Sequence, residues 1–307
     1  MTFAAFLLIL ASAGFHASWN LLSKSKRPSM AFYMQASMTA AIMWLGITIW
    51  GIQKVNWSAV PGVFYVMVVG SVLCEVLYFT SLANTYRRAD ISMAYPMARA
   101  LPVFFTMLGT IVFSWGKTLG ALAITGMMII FVGCMLMAFS NNSSGKNLRE
   151  KLAFVKKGLP GILLAAFATT SYTISDSFGV KSVMEHFPDC NKLLAAGTYS
   201  CVRESLVTVA LWCGATWLAY RKKDEGNLKA LIKTYHPYAA GVFAALAYVL
   251  ILISMNYVSN VSFVQSFRQL SLPLSALLGY FILKEKISKL RWFALLLIMA
   301  GLLMSIF

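Results

Sequence analysis

The stretch that decides the fold is FVQSFRQLSLPLSALLGYFILK, Phe263–Lys284, where Arg268 interrupts a run otherwise apolar and long enough to cross a bilayer. A second stretch, ISMAYPMARALPVFFTMLGTIVF (Ile91–Phe113), has the same design, with Arg99 inside it. A charge near the bilayer centre costs at least ~2.5 kcal/mol on insertion scales, so it is rarely left facing lipid. Both arginines have prolines nearby, Pro96 and Pro102 in one case and Pro273 in the other. Proline frees a backbone carbonyl, which is tolerated at membrane depth where it lines a cavity. The two stretches therefore predict paired helices around one polar cavity.

The surrounding chain sets the class. Of 307 residues, 59% are hydrophobic and only 12% charged. A membrane helix needs about 20 apolar residues to cross a core of about 30 Å. Ten runs qualify, roughly 3–23, 31–50, 60–84, 91–113, 119–139, 158–182, 193–220, 238–257, 263–283 and 290–307. Too little remains for a soluble domain with its own core. The first run starts almost at Met1, without a basic segment or a small-residue cleavage site, and reads as a span and not as a removable signal.

The net charge of +16 does not indicate a nucleic-acid partner, because of where it falls. Nineteen basic residues lie in the odd-numbered connections and four in the even ones, with Arg99, Arg203 and Arg268 inside spans. By the positive-inside rule the odd connections are cytoplasmic, and both termini are extracytoplasmic. The five cysteines are scattered and show no metal-ligand spacing or disulfide framework; Cys190 alone falls in an expected external loop. No metalloprotease motif, nucleophile elbow or phosphate-binding glycine loop is present. No enzyme activity, metal or cofactor is expected.

The polar segment NNSSGKNLREKLAFVKK, 141–157, divides the spans five and five, so residues 1–140 and 158–307 read as two repeats around a cytoplasmic linker. Leu108-Gly109 falls on Leu278-Gly279 at an offset of 170, which brings Arg99 within one position of the match to Arg268. Because five is odd, the second repeat enters the membrane in the opposite sense to the first. The expectation is an all-α integral membrane protein of ten transmembrane helices in two inverted five-helix repeats, with a substrate site near the midplane.

Candidate site residues follow from helical faces. Ser12, His16, Asn20 and Ser23 share one face of the first span, with Trp19 beside them; Thr169, Thr173 and Asp176 share one of the sixth, flanked by Tyr172. Hydroxyls of this kind also glue helices together. Tyr95 and Arg99 share a face of the fourth span, and Gln265 and Arg268 one of the ninth. Arginine's planar fork suits carboxylate, phosphate or phosphonate, although each arginine could instead lock its own kinked helix to a carbonyl or to Glu75. Glu75, on one face with Ser71 and Tyr78, and Glu204, beside Arg203, are proton-coupling candidates or members of a structural ion pair.

FHASWNLLSKS (Phe15–Ser25), RRADISMAYPMARALP (Arg87–Pro102) and SFRQLSLPLSALLGYFILKEKIS (Ser266–Ser288) followed by RWFALLLIMAG, in this order, resemble the drug/metabolite transporter superfamily and its EamA-like ten-span members. The resemblance covers the whole chain. It implies a secondary transporter of small metabolites, with a central cavity bounded by spans 1, 3, 4, 6, 8 and 9 and a structural role for Glu285. FSWGKTLG departs from the pattern, with Trp115 and Gly116 where an acidic turn is often seen.

The expected function is alternating-access transport, with export favoured on the resemblance alone, of a small anionic or zwitterionic metabolite across a bacterial-type inner membrane. Arg99, Arg268, His16, Asn20, Tyr95, Asp176 and Tyr172 are the expected substrate contacts. The expected partners are the small-molecule substrate and membrane lipids. The alternatives are a flippase for a lipid-linked sugar or amine, and a sensor or scaffold that moves no solute.

Overall fold

The computed structural model describes residues 2–24, 30–54, 57–88, 91–140, 148–186, 192–221, 234–282, 284 and 287–306. Among the described residues the chain is all-helical. The helices are α1 (Phe3–Lys24), α2 (Met30–Lys54), α3 (Gly62–Arg88), α4 (Ile91–Val112), α5 (Ala121–Phe139), α6 (Leu148–Glu185), α7 (Lys192–Tyr220) and α8 (His236–Met255). A ninth rod follows in two pieces, α9 (Val261–Phe267) and α10 (Ser271–Ile282), joined by a 3-10 turn at Arg268–Leu270; α11 (Lys289–Met304) is last. Four helical stretches, Ala31–Lys54, Gly62–Thr85, Ala121–Phe139 and His236–Met255, are long and apolar enough to cross a membrane; Phe3–Trp19 and Pro96–Val112 are shorter apolar stretches.

The break in the ninth rod has a local cause. Pro273 has no N–H to give the carbonyl four residues back, and the winding tightens just before it. Ser271 Oγ turns back to donate to the Arg268 carbonyl at 2.9 Å, and Gln269 Nε2 donates to the Gln265 carbonyl at 3.2 Å. Asn260 caps the start of α9 by accepting from the Ser262 N–H at 2.9 Å.

The sixth helix is longer than the expected span. It begins at Leu148, ten residues before Gly158, and runs for 38 residues. The segment read as a linker is therefore helical from 148 onward, while 141–147, Cys190 and Glu285 lie outside the described residues. LREKLAFVKK holds neither proline nor glycine and is rich in good helix formers. Its charges mark where an apolar environment ends, which is a separate matter from where a helix ends.

Apolar and polar residues are distributed as a lipid solvent demands. Phe3, Val66 and Phe281 are exposed, at 74%, 67% and 71%, whereas Arg203 and Asp176 are fully buried. Helix α3 packs on α6, α1 on α8, α2 on α7 and α5 on α11. Small residues bring the last pair together: a Cβ added at either Gly126 or Gly301 would lie 2.5 Å from the other's carbonyl oxygen.

At one end of the bundle, the α4–α5 turn is tied to residues 259–260. Gly116 is at φ +85°, where an added Cβ would meet the Ser259 carbonyl at 2.7 Å. Asn260 Nδ2 donates to the carbonyls of Trp115 (3.3 Å) and Lys117 (3.0 Å), and the Lys117 N–H donates to the Ser259 carbonyl (2.9 Å). Just inside, Thr110 Oγ1 and Ser262 Oγ share a buried hydrogen bond of 2.8 Å.

Candidate functional site

A cavity with about 700 Å³ of empty space, counting solvent at its mouth, opens among the helices. Its wall includes His16 and Trp19 of α1, Tyr33 and Ser37 of α2, Glu75 and Tyr78 of α3, and Arg99 of α4. Tyr172 of α6, Glu204 of α7, Tyr248 of α8 and Arg268 complete its polar lining. The lining reaches Trp19, Tyr33, Phe79 and Ala240, toward the ends of α1, α2, α3 and α8 that lead into the basic-rich connections. The opposite end is the one tied by Asn260.

Beside the cavity lies a dense ionic cluster. Arg203 donates through Nη1 to Glu204 Oε1 at 2.9 Å, and the same nitrogen lies 2.6 Å from Glu75 Oε2. Its Nε donates to Ser71 Oγ at 2.7 Å and stands 3.2 Å from Asp176 Oδ1. Ser71 and Tyr199 donate to Asp176 Oδ1 at 2.5 and 2.7 Å, and the Tyr248 hydroxyl donates to Oδ2. The guanidinium also lies over the rings of Tyr248 and Tyr172, at 4.7 and 5.3 Å from their centroids. One cation thus holds three carboxylates from α3, α6 and α7. Neither Arg203 nor Asp176 is part of the cavity wall, so Asp176, read from the sequence as a pocket residue, stands behind it.

The other two buried arginines have fewer partners. Arg268 donates through Nη1 to Thr173 Oγ1 and Gln265 Oε1, both at a long 3.3 Å. Arg99 donates through Nη2 to the Arg268 carbonyl and to Ser271 Oγ, both at 2.8 Å. Through this nitrogen it ties α4 to the broken ninth rod. In both residues Nε has no hydrogen-bond partner among the described residues, although Arg99 and Arg268 are only 8% and 3% exposed.

His16 is the third cavity group of this kind. Its Nδ1 accepts from the Trp19 indole N–H at 2.9 Å, and its Nε2 has no partner among the described residues. Ser12, on the same face, is taken up by the Ala247 carbonyl at 2.7 Å and binds α1 to α8. The side chains of Asn20 and Tyr95 lie outside the described residues.

Among the described residues, eight of the ten rods reach this cavity, including α2 and α7, which the six-span outline omitted. The missed wall residues Tyr33, Ser37 and Tyr248 left little signal in the sequence. Tyr248 was the most legible, as a polar side chain in an apolar run; the alanines at 240, 244 and 245 recur at helical spacing and leave room before it.

Residues 156–307 match the family model of the EamA-like transporter family. This half of the chain is an EamA-like transporter domain. A crystal structure described only as that of a protein aligns with 98% of this chain and 96% of its own, at a TM-score of 0.67 and 16% identity. At that identity the likeness is one of fold, and it extends through both halves. No curated protein matches. The EamA-like domain is consistent with the drug/metabolite transporter resemblance, and together with the apolar helices it indicates a multi-pass membrane protein; the matched family is one of transporters.

Proposed function

We propose that this chain is a secondary active transporter, most simply an exporter, that carries a small zwitterionic metabolite by alternating access across a bacterial-type inner membrane. One observation carries the reading: a single cavity is lined by Arg99, Arg268 and His16 together with Glu75 and Glu204. The first group suits an acidic function and the second an ammonium, and the tyrosines supply faces on which a cation can rest. Arg203 already neutralises part of the acidic side, which leaves Glu75 and Glu204 able to exchange a proton or an ammonium with the cavity.

Three features support inversion of the repeats 1–140 and 158–307. Exchanging each rod with the one five places along maps α1–α8 onto α6–α3 and returns α2–α7 and α5–α11 to themselves. Ser114 and Lys284, 170 positions apart, share the same unusual φ of 54°. Gly126 lies against Gly301 while Gly133 lies against Ala294, and a shift of 168 residues exchanges the two contacts. In this reading both termini are extracytoplasmic, the Asn260 tie closes the outside, and the cavity faces the cytoplasm.

The test is a thermal-unfolding panel on purified protein, followed by flux in proteoliposomes. A ligand at a hundred times its Kd adds about 2.7 kcal/mol to apparent stability. Small zwitterions are expected to stabilise the protein more than matched simple anions or simple amines, and the best of them to be moved on an imposed proton gradient. Stabilisation by amines alone, or binding without any flux, would overturn the reading.

A further inference from the structure

Hydrogen-bond accounting around His16 goes a step beyond this reading, on which it rests. An indole N–H can only donate, so the 2.9 Å contact from Trp19 requires His16 Nδ1 to be an acceptor. A neutral imidazole that accepts at Nδ1 carries its proton on Nε2. That Nε2–H is buried, in a side chain that lines the cavity, and without an acceptor among the described residues. Arg99 Nε and Arg268 Nε are in the same condition, in side chains that line the same cavity. Native proteins seldom leave buried donors unsatisfied, and three around one space point to an acceptor that arrives from outside.

We propose that His16 Nε2, Arg99 Nε and Arg268 Nε form a subsite for an oxyanion, the carboxylate or phosphoryl group of the substrate, and that Trp19 is the positioning residue that keeps His16 a donor. The site takes a group made only of acceptors. An ammonium has nothing to offer these three nitrogens, and a hydroxyl alone cannot answer all of them. Trp19 acts through His16: without its indole N–H, the imidazole proton is free to move to Nδ1, which would turn a lone pair toward the anion.

Nitrogen-15 NMR on histidine-labelled protein in nanodiscs reads the tautomer directly, with His16→Gln separating His16 from His186 and His236. Acetate and inorganic phosphate serve as probes for the two oxyanion classes, and tetramethylammonium as the cation control. His16 is expected as a single Nε2–H tautomer whose signal moves with acetate or phosphate and not with tetramethylammonium. Trp19→Phe is expected to mix the tautomers and to weaken anion binding about five- to tenfold, the equivalent of one hydrogen bond, with little change in unfolding temperature. His16→Gln, which retains an N–H, should keep affinity within about threefold, whereas His16→Leu loses about tenfold or more. An Nδ1–H tautomer in the wild type, or a Trp19→Phe protein unchanged in tautomer and affinity, would overturn the role of Trp19. A wild-type protein that binds neither anion overturns the subsite itself; solute flux in proteoliposomes would then leave the transport reading standing.

Discussion

Arg203 and Arg268 are both buried among aromatic rings in the middle of the bundle, yet they live differently. Arg203 is fully buried and faces three carboxylates and a serine within 3.2 Å, with only Nη2 lacking a hydrogen-bond partner. Arg268 has two neutral partners at 3.3 Å, a free Nε and a place in the cavity wall. Burial does not separate them, and each keeps one buried nitrogen without a partner among the described residues; the charge of their partners and a place beside the cavity do. A cation neutralised by carboxylates ties elements together, and one with only neutral partners beside a void is held ready for something else.

The strongest way to break this contrast is Arg203→Leu. Removing the shared cation leaves buried carboxylates without compensation, a loss of about 3–5 kcal/mol. The expected result is poor yield and a sharply lower unfolding temperature, read by thermal scanning; a stable, well-expressed Arg203→Leu protein would erase the distinction. Arg268→Lys should do the opposite, with folding nearly intact and affinity for the anionic group down by about 2–3 kcal/mol, roughly thirty- to a hundred-and-fiftyfold. Calorimetry beside a melting curve tests both halves of that statement.

Glu75→Gln lies between the two cases, because Glu75 both pairs with Arg203 and lines the cavity. It is expected to destabilise by about 2 kcal/mol, since one charged contact to Arg203 becomes neutral. Vesicle uptake should also lose its dependence on an imposed pH difference; full retention of that dependence would make Glu75 purely structural. Asn260→Ala, far from either arginine, is the mildest change at about 1 kcal/mol. Its readout is labelling of Ser262→Cys by an impermeant maleimide, which should speed up when the Asn260 tie is removed.

The membrane fold was legible because apolar length is a local property: every predicted run lies largely within a helix. The break at Arg268 could be anticipated near Pro273, since the missing N–H is written in the sequence. Which face meets which neighbour was not legible. Asp176 has the spacing of a pocket residue, but the rotation of α6 turns it toward Arg203, Tyr199 and Tyr248, behind the wall. Arg99 has the residue type of an anion clamp, and one of its amino groups donates to a carbonyl at the break in another helix. Periodicity records which residues travel together, not what they will face. Tyr248 and Tyr33 entered the site unannounced for the same reason.

The Arg99 contact to the Arg268 carbonyl has one more implication. It joins α4 to a backbone oxygen at the break of the ninth rod, which also accepts from the Ser271 N–H and hydroxyl. Any motion that draws α4 from residues 268–271 strips Arg99 Nη2 of both its acceptors, and in an open cavity the replacement at hand is water. In the alternating access proposed above, hydration thereby becomes a reactant. The balance between the two states would then vary with water activity, and a membrane-impermeant osmolyte on the cavity's open side would shift it without touching the protein.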